Sequence, residues 1–129
     1  MQIRLLPFAL ACAVFLIVGC GGDDSGAGNS TAGTDLTVKL KEYEFQPREV
    51  TVGRGAVIHV TNVGEIAHNL KIERGPNPTR ETEELAGTDS FLPEDSENLK
   101  IDLPPGRYAM VCTVPGHREL GMTGTLRVK

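Results

Sequence analysis

Cysteine is scarce in this chain. Of three residues, Cys12 lies in an N-terminal apolar segment, Cys20 closes that segment, and only Cys112 belongs to the body. No disulfide framework can therefore staple residues 21–129. Histidine is equally scarce: His59, His68 and His117 are the complete set. With a single body cysteine, that is too few for the Cys- and His-rich ligand sets usual for structural zinc. Basic charge is in deficit, 13 Lys and Arg against 17 Asp and Glu. This argues against a nucleic-acid binder, whose affinity comes from neutralising phosphates. No apolar run reaches the ~20 residues that a membrane-spanning helix needs; Leu5 to Val18 has fourteen. No internal repeat is present. There is also no Gly-rich oxyanion loop, and no third residue to orient His117 as the base for a Cys112 nucleophile.

What the chain does hold is concentrated near its C-terminus. Cys112, His117 and Met122 follow one another at intervals of five residues, in Cys-Thr-Val-Pro-Gly-His-Arg-Glu-Leu-Gly-Met. His68 lies upstream. One thiolate, two imidazoles and a thioether make up the ligand set of a blue-copper site. A leftover cysteine is otherwise a reactive thiol or a small buried hydrophobe. Its company in this loop favours the metal.

The N-terminus reads as an address. Met1 to Arg4 carries one positive charge, Leu5 to Val18 is apolar and uncharged, and Leu16-Ile-Val-Gly-Cys20 follows. The length suits a signal peptide, and its end resembles the bacterial lipoprotein cleavage box. That resemblance implies a signal peptide over 1–19, lipidation of Cys20 and an exported protein anchored to a membrane, facing the periplasm or the cell exterior. An ordinary signal peptide cut elsewhere, or an uncleaved anchor, is the alternative. Residues 21–34 contain no large apolar side chain, so they cannot bury a core. With Cys20 they read as a tether over 20–34, about 20 Å long on average and about 48 Å at full stretch. Loss of residues 1–19 removes only Arg4 among the charges, leaving 12 basic and 17 acidic residues, net −5.

Residues 35–129 form one domain, expected to be all-β. Leu36–Leu40 and Leu99–Leu103 alternate apolar and polar residues, as half-buried strands do. Val50–Val52, Ala56–Thr61, Leu70–Ile72, Arg107–Cys112 and Gly124–Lys129 are short and rich in β-formers, separated by Gly, Pro and Asn turns. This spacing predicts a β-sandwich or a barrel. The segment 73–98 breaks the pattern. It is acidic, and it reads either as a solvated loop or as a short helix from the N-cap Thr79 to Ala86, ended by Gly87. Period-two counting sends Tyr108, Met110 and Cys112 to the core face. His59 has surface parity, and Met110 belongs to the core rather than to a site.

Several stretches together resemble the cupredoxins, the small type 1 copper proteins: Glu42–Pro47 into Val50–Gly55, then Val60–Gly64, His68-Asn69, and Tyr108 through Met122. The Cys-to-His and His-to-Met gaps are similar to those of auracyanin-type bacterial members. The resemblance implies a Greek-key β-sandwich of about 7–8 strands, in which His68, Cys112, His117 and Met122 bind one copper ion. It also implies that Asn69 bonds across to the loop near Cys112 or Thr113, and that Ala67 offers a distant carbonyl opposite Met122. His117, with Pro115 and Leu120 around it, becomes the electron port; Arg118 and Glu119 place charge at its edge. The implied function is that of a monomeric one-electron carrier between redox proteins such as cytochromes or membrane oxidoreductases, without catalysis of its own. A copper storage or delivery protein would use the same ligands. A binuclear copper centre would need a second loop cysteine where Gly116 stands. A copper nitrite reductase would need a further domain and more histidines.

Overall fold

A computed structural model describes residues 35–129. The expected signal peptide, the lipidated Cys20 and the tether lie outside the described residues. Among the described residues, nine strands form two sheets. In chain order they are β1 (Leu36–Lys41), β2 (Glu44–Gln46), β3 (Glu49–Val52), β4 (Val57–Asn62), β5 (Lys71–Glu73), β6 (Glu84–Gly87), β7 (Ser96–Lys100), β8 (Gly106–Val111) and β9 (Thr123–Val128). The four-stranded sheet has the order β2-β1-β4-β7 and the five-stranded sheet β3-β9-β8-β5-β6. Pairing is antiparallel except for β1 with β4 and β3 with β9. The chain changes sheet between β2 and β3, β3 and β4, β4 and β5, β6 and β7, and β7 and β8, giving the expected sandwich.

Alternation sets which face each strand buries. Val38 and Leu40 of β1, Ile58 and Val60 of β4, Ile72 of β5, Met110 of β8, and Leu126 and Val128 of β9 meet Phe45 in one interior cluster. Burying each large aliphatic side chain stabilises the fold by about 1.5–3 kcal/mol. Cys112 and Met122 belong to the same cluster, so the metal-type side chains sit at one end of the core. Tyr108 packs against it while its hydroxyl donates to the Pro104 carbonyl at 2.7 Å, pinning the turn that enters β8.

The segment 73–98 corrects one expectation. Among the described residues there is no helix, and Glu84–Gly87 is strand β6, antiparallel to β5. The reason is local. Thr79 to Gly87 has Leu85 and Ala86 as its only aliphatic side chains, too few for a helical apolar stripe, whereas the free edge of β5 offers backbone partners at once. The stretch after β6 is largely exposed but tied down at two points: Thr88 and Leu70 exchange hydrogen bonds, and Phe91 forms a bridge with His68. The strand expected at 99–103 starts earlier, at Ser96, because its register on β4 pairs Ser96 with Thr61.

Candidate metal centre

The loop after β8 folds back through a series of turns. The His117 amide donates to Val114, Leu120 to Gly116, and Gly121 to Arg118, at 3.0, 3.2 and 3.0 Å. Gly116 and Gly121 have φ of +84° and +93°, a region open to glycine but strained for other residues. The Met122 amide then reaches the His117 carbonyl at 3.0 Å, and the Cys112 amide reaches the Met122 carbonyl at 3.1 Å. His117 and Met122 are thereby returned to the level of Cys112. Arg48 fastens the far end, donating to the carbonyls of Gly121 and Thr123 on either side of Met122.

His68 comes from the connection between β4 and β5. The buried Asn62 organises it: its Nδ2 donates to the Ile66 and Phe91 carbonyls at 2.8 and 3.1 Å, and its Oδ1 accepts from the Gly64 amide at 3.0 Å. Both backbone groups of His68 pair with Phe91.

The two loops bring three donor atoms together. His68 Nδ1 lies 3.1 Å from His117 Nδ1, and Cys112 Sγ lies 3.5 Å from the same nitrogen. All three lie within 4.8 Å of one another. His68 and Cys112 are fully buried, and His117 is 7% exposed. Two ligands on one ion at about 2.0–2.3 Å can stand at most about 4–4.5 Å apart, a bound that both measured separations meet. Facing imidazole nitrogens compete for one hydrogen, whereas a cation satisfies both lone pairs. His68 Nε2 is also buried without a hydrogen-bond partner; its nearest carboxylate, Glu42, stands 3.8 Å away. The donors therefore fit a soft transition-metal ion. Met122 is fully buried beside them in the core cluster.

Burial also sets the electrostatics. Desolvation, and then repulsion from His117, lower the pKa of His68, which keeps its imidazole neutral and able to bind. Desolvation raises the pKa of the Cys112 thiol, against weaker backbone hydrogen bonds that lower it. Without an ion, then, the sulfur keeps its proton.

Asn69 and Thr113 tie the two loops. The Asn69 amide donates to Thr113 Oγ1 at 3.0 Å, and its carbonyl oxygen accepts from the Thr113 backbone amide at 2.8 Å. Ala67 is half-buried just before His68. Pro115 and Gly116, just before His117 in the chain, are exposed, and Leu120 is 60% exposed. His59 is exposed on β4, 2.6 Å from Asn98 Oδ1, and has no part in the site.

Arg118 departs from expectation. Rather than charging the edge of His117, it turns inward and forms a two-pronged ion pair with the buried Glu73. That leaves Glu119 as the exposed charge in this turn. Tyr43, Asn62 and Glu73 were not expected at the site. The Tyr43 ring meets the His117 ring edge-on, with centroids 5.2 Å apart. Tyr43 and Glu73 lie far from the ligand loop in sequence, and no spacing rule links them to it. Asn62 carried one usable signal, a polar residue at a core-facing position of a β-branched strand.

Residues 32–129 match the family of copper binding proteins described as the plastocyanin/azurin family. The chain belongs to this family. Plastocyanin from Dryopteris crassirhizoma is 34% identical over 97 residues, which cover 70% of this chain and 93% of the relative. Among solved structures, the fold is similar to that of the dithionite-reduced auracyanin from the photosynthetic bacterium Roseiflexus castenholzii, with a TM-score of 0.67 and 24% identity over 77% of this chain and 99% of that one. Auracyanin A, a "blue" copper protein from Chloroflexus aurantiacus, gives a TM-score of 0.57 and 21% identity over 74% and 99%. Copper is the cofactor of the plastocyanin/azurin family, and His68, Cys112 and His117 supply a donor group suited to it.

Proposed function

We propose that this cupredoxin is a membrane-tethered carrier of single electrons, whose copper would be held by His68, Cys112, His117 and Met122. The observation that carries this reading is the convergence of His68 Nδ1, His117 Nδ1 and Cys112 Sγ within 4.8 Å, inside a buried and cross-braced pole. Bound copper would supply a one-electron couple. The protein's own contribution is to hold the donors. Asn69 and Thr113 lock the two loops, the turns through Gly116 and Gly121 fix His117 and Met122, and the core excludes water. A frame that moves little between oxidation states lowers the reorganisation that transfer requires.

His117 is the exit for the electron, since it is the one donor residue of the three with measurable exposure. Pro115, Gly116 and Leu120 form the surface above it, and Ala67 lies on the side of His68. The partners are redox proteins, such as cytochromes or membrane oxidoreductases, that meet this pole. The domain works as a monomer and has no catalysis of its own. Lipidation of Cys20 would hold it at a membrane on the exported side. Burial and bracing of the donors favour retention of copper over its delivery.

The deciding experiment is a visible spectrum of the protein after Cu(II) addition, then ascorbate, then reoxidation. An intense thiolate-to-copper band that bleaches and returns is expected. A folded protein without that band would overturn the assignment.

A further inference from the structure

The ion pair of Glu73 and Arg118 is not needed to bring the donors together, yet it is the most deeply buried charge pair among the described residues. Glu73 is 3% exposed at the end of β5, and the Arg118 side chain is 15% exposed. Arg118 is the residue after His117 and lies between two of the donors. Its guanidinium engages both oxygens of Glu73 and also donates to the Pro78 carbonyl at 3.4 Å. A planar two-pronged contact fixes direction as well as distance.

Glu73 in turn opens a strap, residues 74–83, that joins β5 to β6. The Arg74 amide donates to the Glu83 carbonyl at 2.9 Å, the Arg74 side chain pairs with Glu83, and Thr82 Oγ1 donates to the Arg74 carbonyl at 2.7 Å. The Thr82 amide donates to Glu73 itself at 3.3 Å. From this closed neck the strap passes over the outer face of the five-stranded sheet, where Pro78 shares a shallow cavity with Thr123, Gly124 and Thr125 of β9. Ala109 and Val111 alternate with the core-facing Met110 and Cys112 and stand outside the interior cluster, yet both are fully buried. The outer side of β8 is therefore covered.

We propose that Glu73, Arg118 and the strap 74–83 form a clamp that positions the ligand loop 112–122, keeping it closed on the metal and setting the geometry of His117. Glu73 and Arg118 are positioning residues; neither supplies a donor atom. The proposal rests on the reading of Cys112, His117 and Met122 as copper ligands. It assigns to the segment between β5 and β6 a role in metal retention.

The test uses the full-length protein with Glu73→Gln, Arg118→Lys and, as a control of similar stability loss in the other sheet, Leu99→Ala. In the metal-free proteins, amide hydrogen exchange of residues 113–121 is followed by NMR. In the copper-loaded proteins, the thiolate band, the copper hyperfine splitting and the rate of release to a chelator are measured. Both clamp variants are expected to speed loop exchange, shift the band and release copper about tenfold to a hundredfold faster. Arg118→Lys does not rescue, because an ammonium cannot reproduce the fork. If the clamp variants match Leu99→Ala in release, band and loop exchange, the clamp is refuted. If the unaltered protein shows no thiolate band, the ligand reading fails instead, and loop exchange in the metal-free protein still decides the clamp.

Discussion

A buried thiol beside two imidazoles is an arrangement that wants a cation. Desolvation holds the Cys112 proton on the sulfur in the metal-free protein, while burial keeps His68 unprotonated. Metal uptake must therefore expel the thiol proton but meets no competing proton on His68. The sign follows: below the raised pKa of Cys112, apparent copper affinity increases with pH, by about tenfold per unit for one proton released. Competition titrations at several pH values around neutrality should give that slope; a flat profile would mean the sulfur is not a ligand. Cys112→Ser replaces a thiol with a hydroxyl of similar shape. The metal-free domain should fold with little change in thermal midpoint, and the intense visible band should vanish entirely on Cu(II) addition.

Elements matter here chiefly through what they do at their ends. Strand β4 ends at Asn62, whose side chain bonds to Ile66, Phe91 and Gly64 and so shapes the turn before His68. Asn62→Ala removes the donor to the part-buried Ile66 carbonyl and the acceptor for the Gly64 amide, while the Phe91 carbonyl keeps its bond from the His68 amide. Each unsatisfied buried group costs about 1–3 kcal/mol, and neighbouring water can serve part of the need. A loss of about 2–3 kcal/mol in urea unfolding of the metal-free protein is expected, together with weaker copper binding. Strand β8 delivers Cys112 by parity, and the turns after it deliver His117 and Met122. Strand β6 shows how an edge recruits a segment. Glu84–Gly87 has no helical stripe to bury, but it satisfies the free side of β5.

Polarity of the whole molecule follows from strand direction. β1 begins opposite Ile58, near the start of β4, and β4 runs toward Asn62 and the His68 loop. Asp35 thus lies at the pole away from His117, and a chain leading to Cys20 attaches there. On the proposed lipidation of Cys20, the anchor would join the domain at the pole opposite the donors. Cys20→Ser should move the protein from the membrane to the soluble fraction on cell fractionation. At the other pole, Leu120 is the large apolar side chain most exposed near His117. Leu120→Asp should slow electron exchange with the physiological partner by about tenfold or more, the size of one disrupted interface anchor, while leaving the visible spectrum unchanged. Unchanged transfer rates would remove His117 from the role of exit.

Much of this protein was legible in the order of its residues, because the relevant physics is short-range. Period-two alternation placed Met110 and Cys112 inward, Gly and Pro marked the turns, and a thiol, an imidazole and a thioether within eleven residues pointed to a metal loop, of which Cys112 and His117 meet His68. His59 showed surface parity and is exposed. Long-range partners were not legible. Nothing near Arg118 points to Glu73, 45 positions away, nor does anything near His117 point to the Tyr43 ring. The helix offered over 79–86 as one of two readings did not form, for the same cause: its local signals were genuine, but a free strand edge competed for the backbone, and that edge exists only once β5 has joined β8. Local chemistry decides which residues can bind a metal. Folding decides which charges are buried against them, because burial and pairing depend on neighbours that meet only when both sheets have closed.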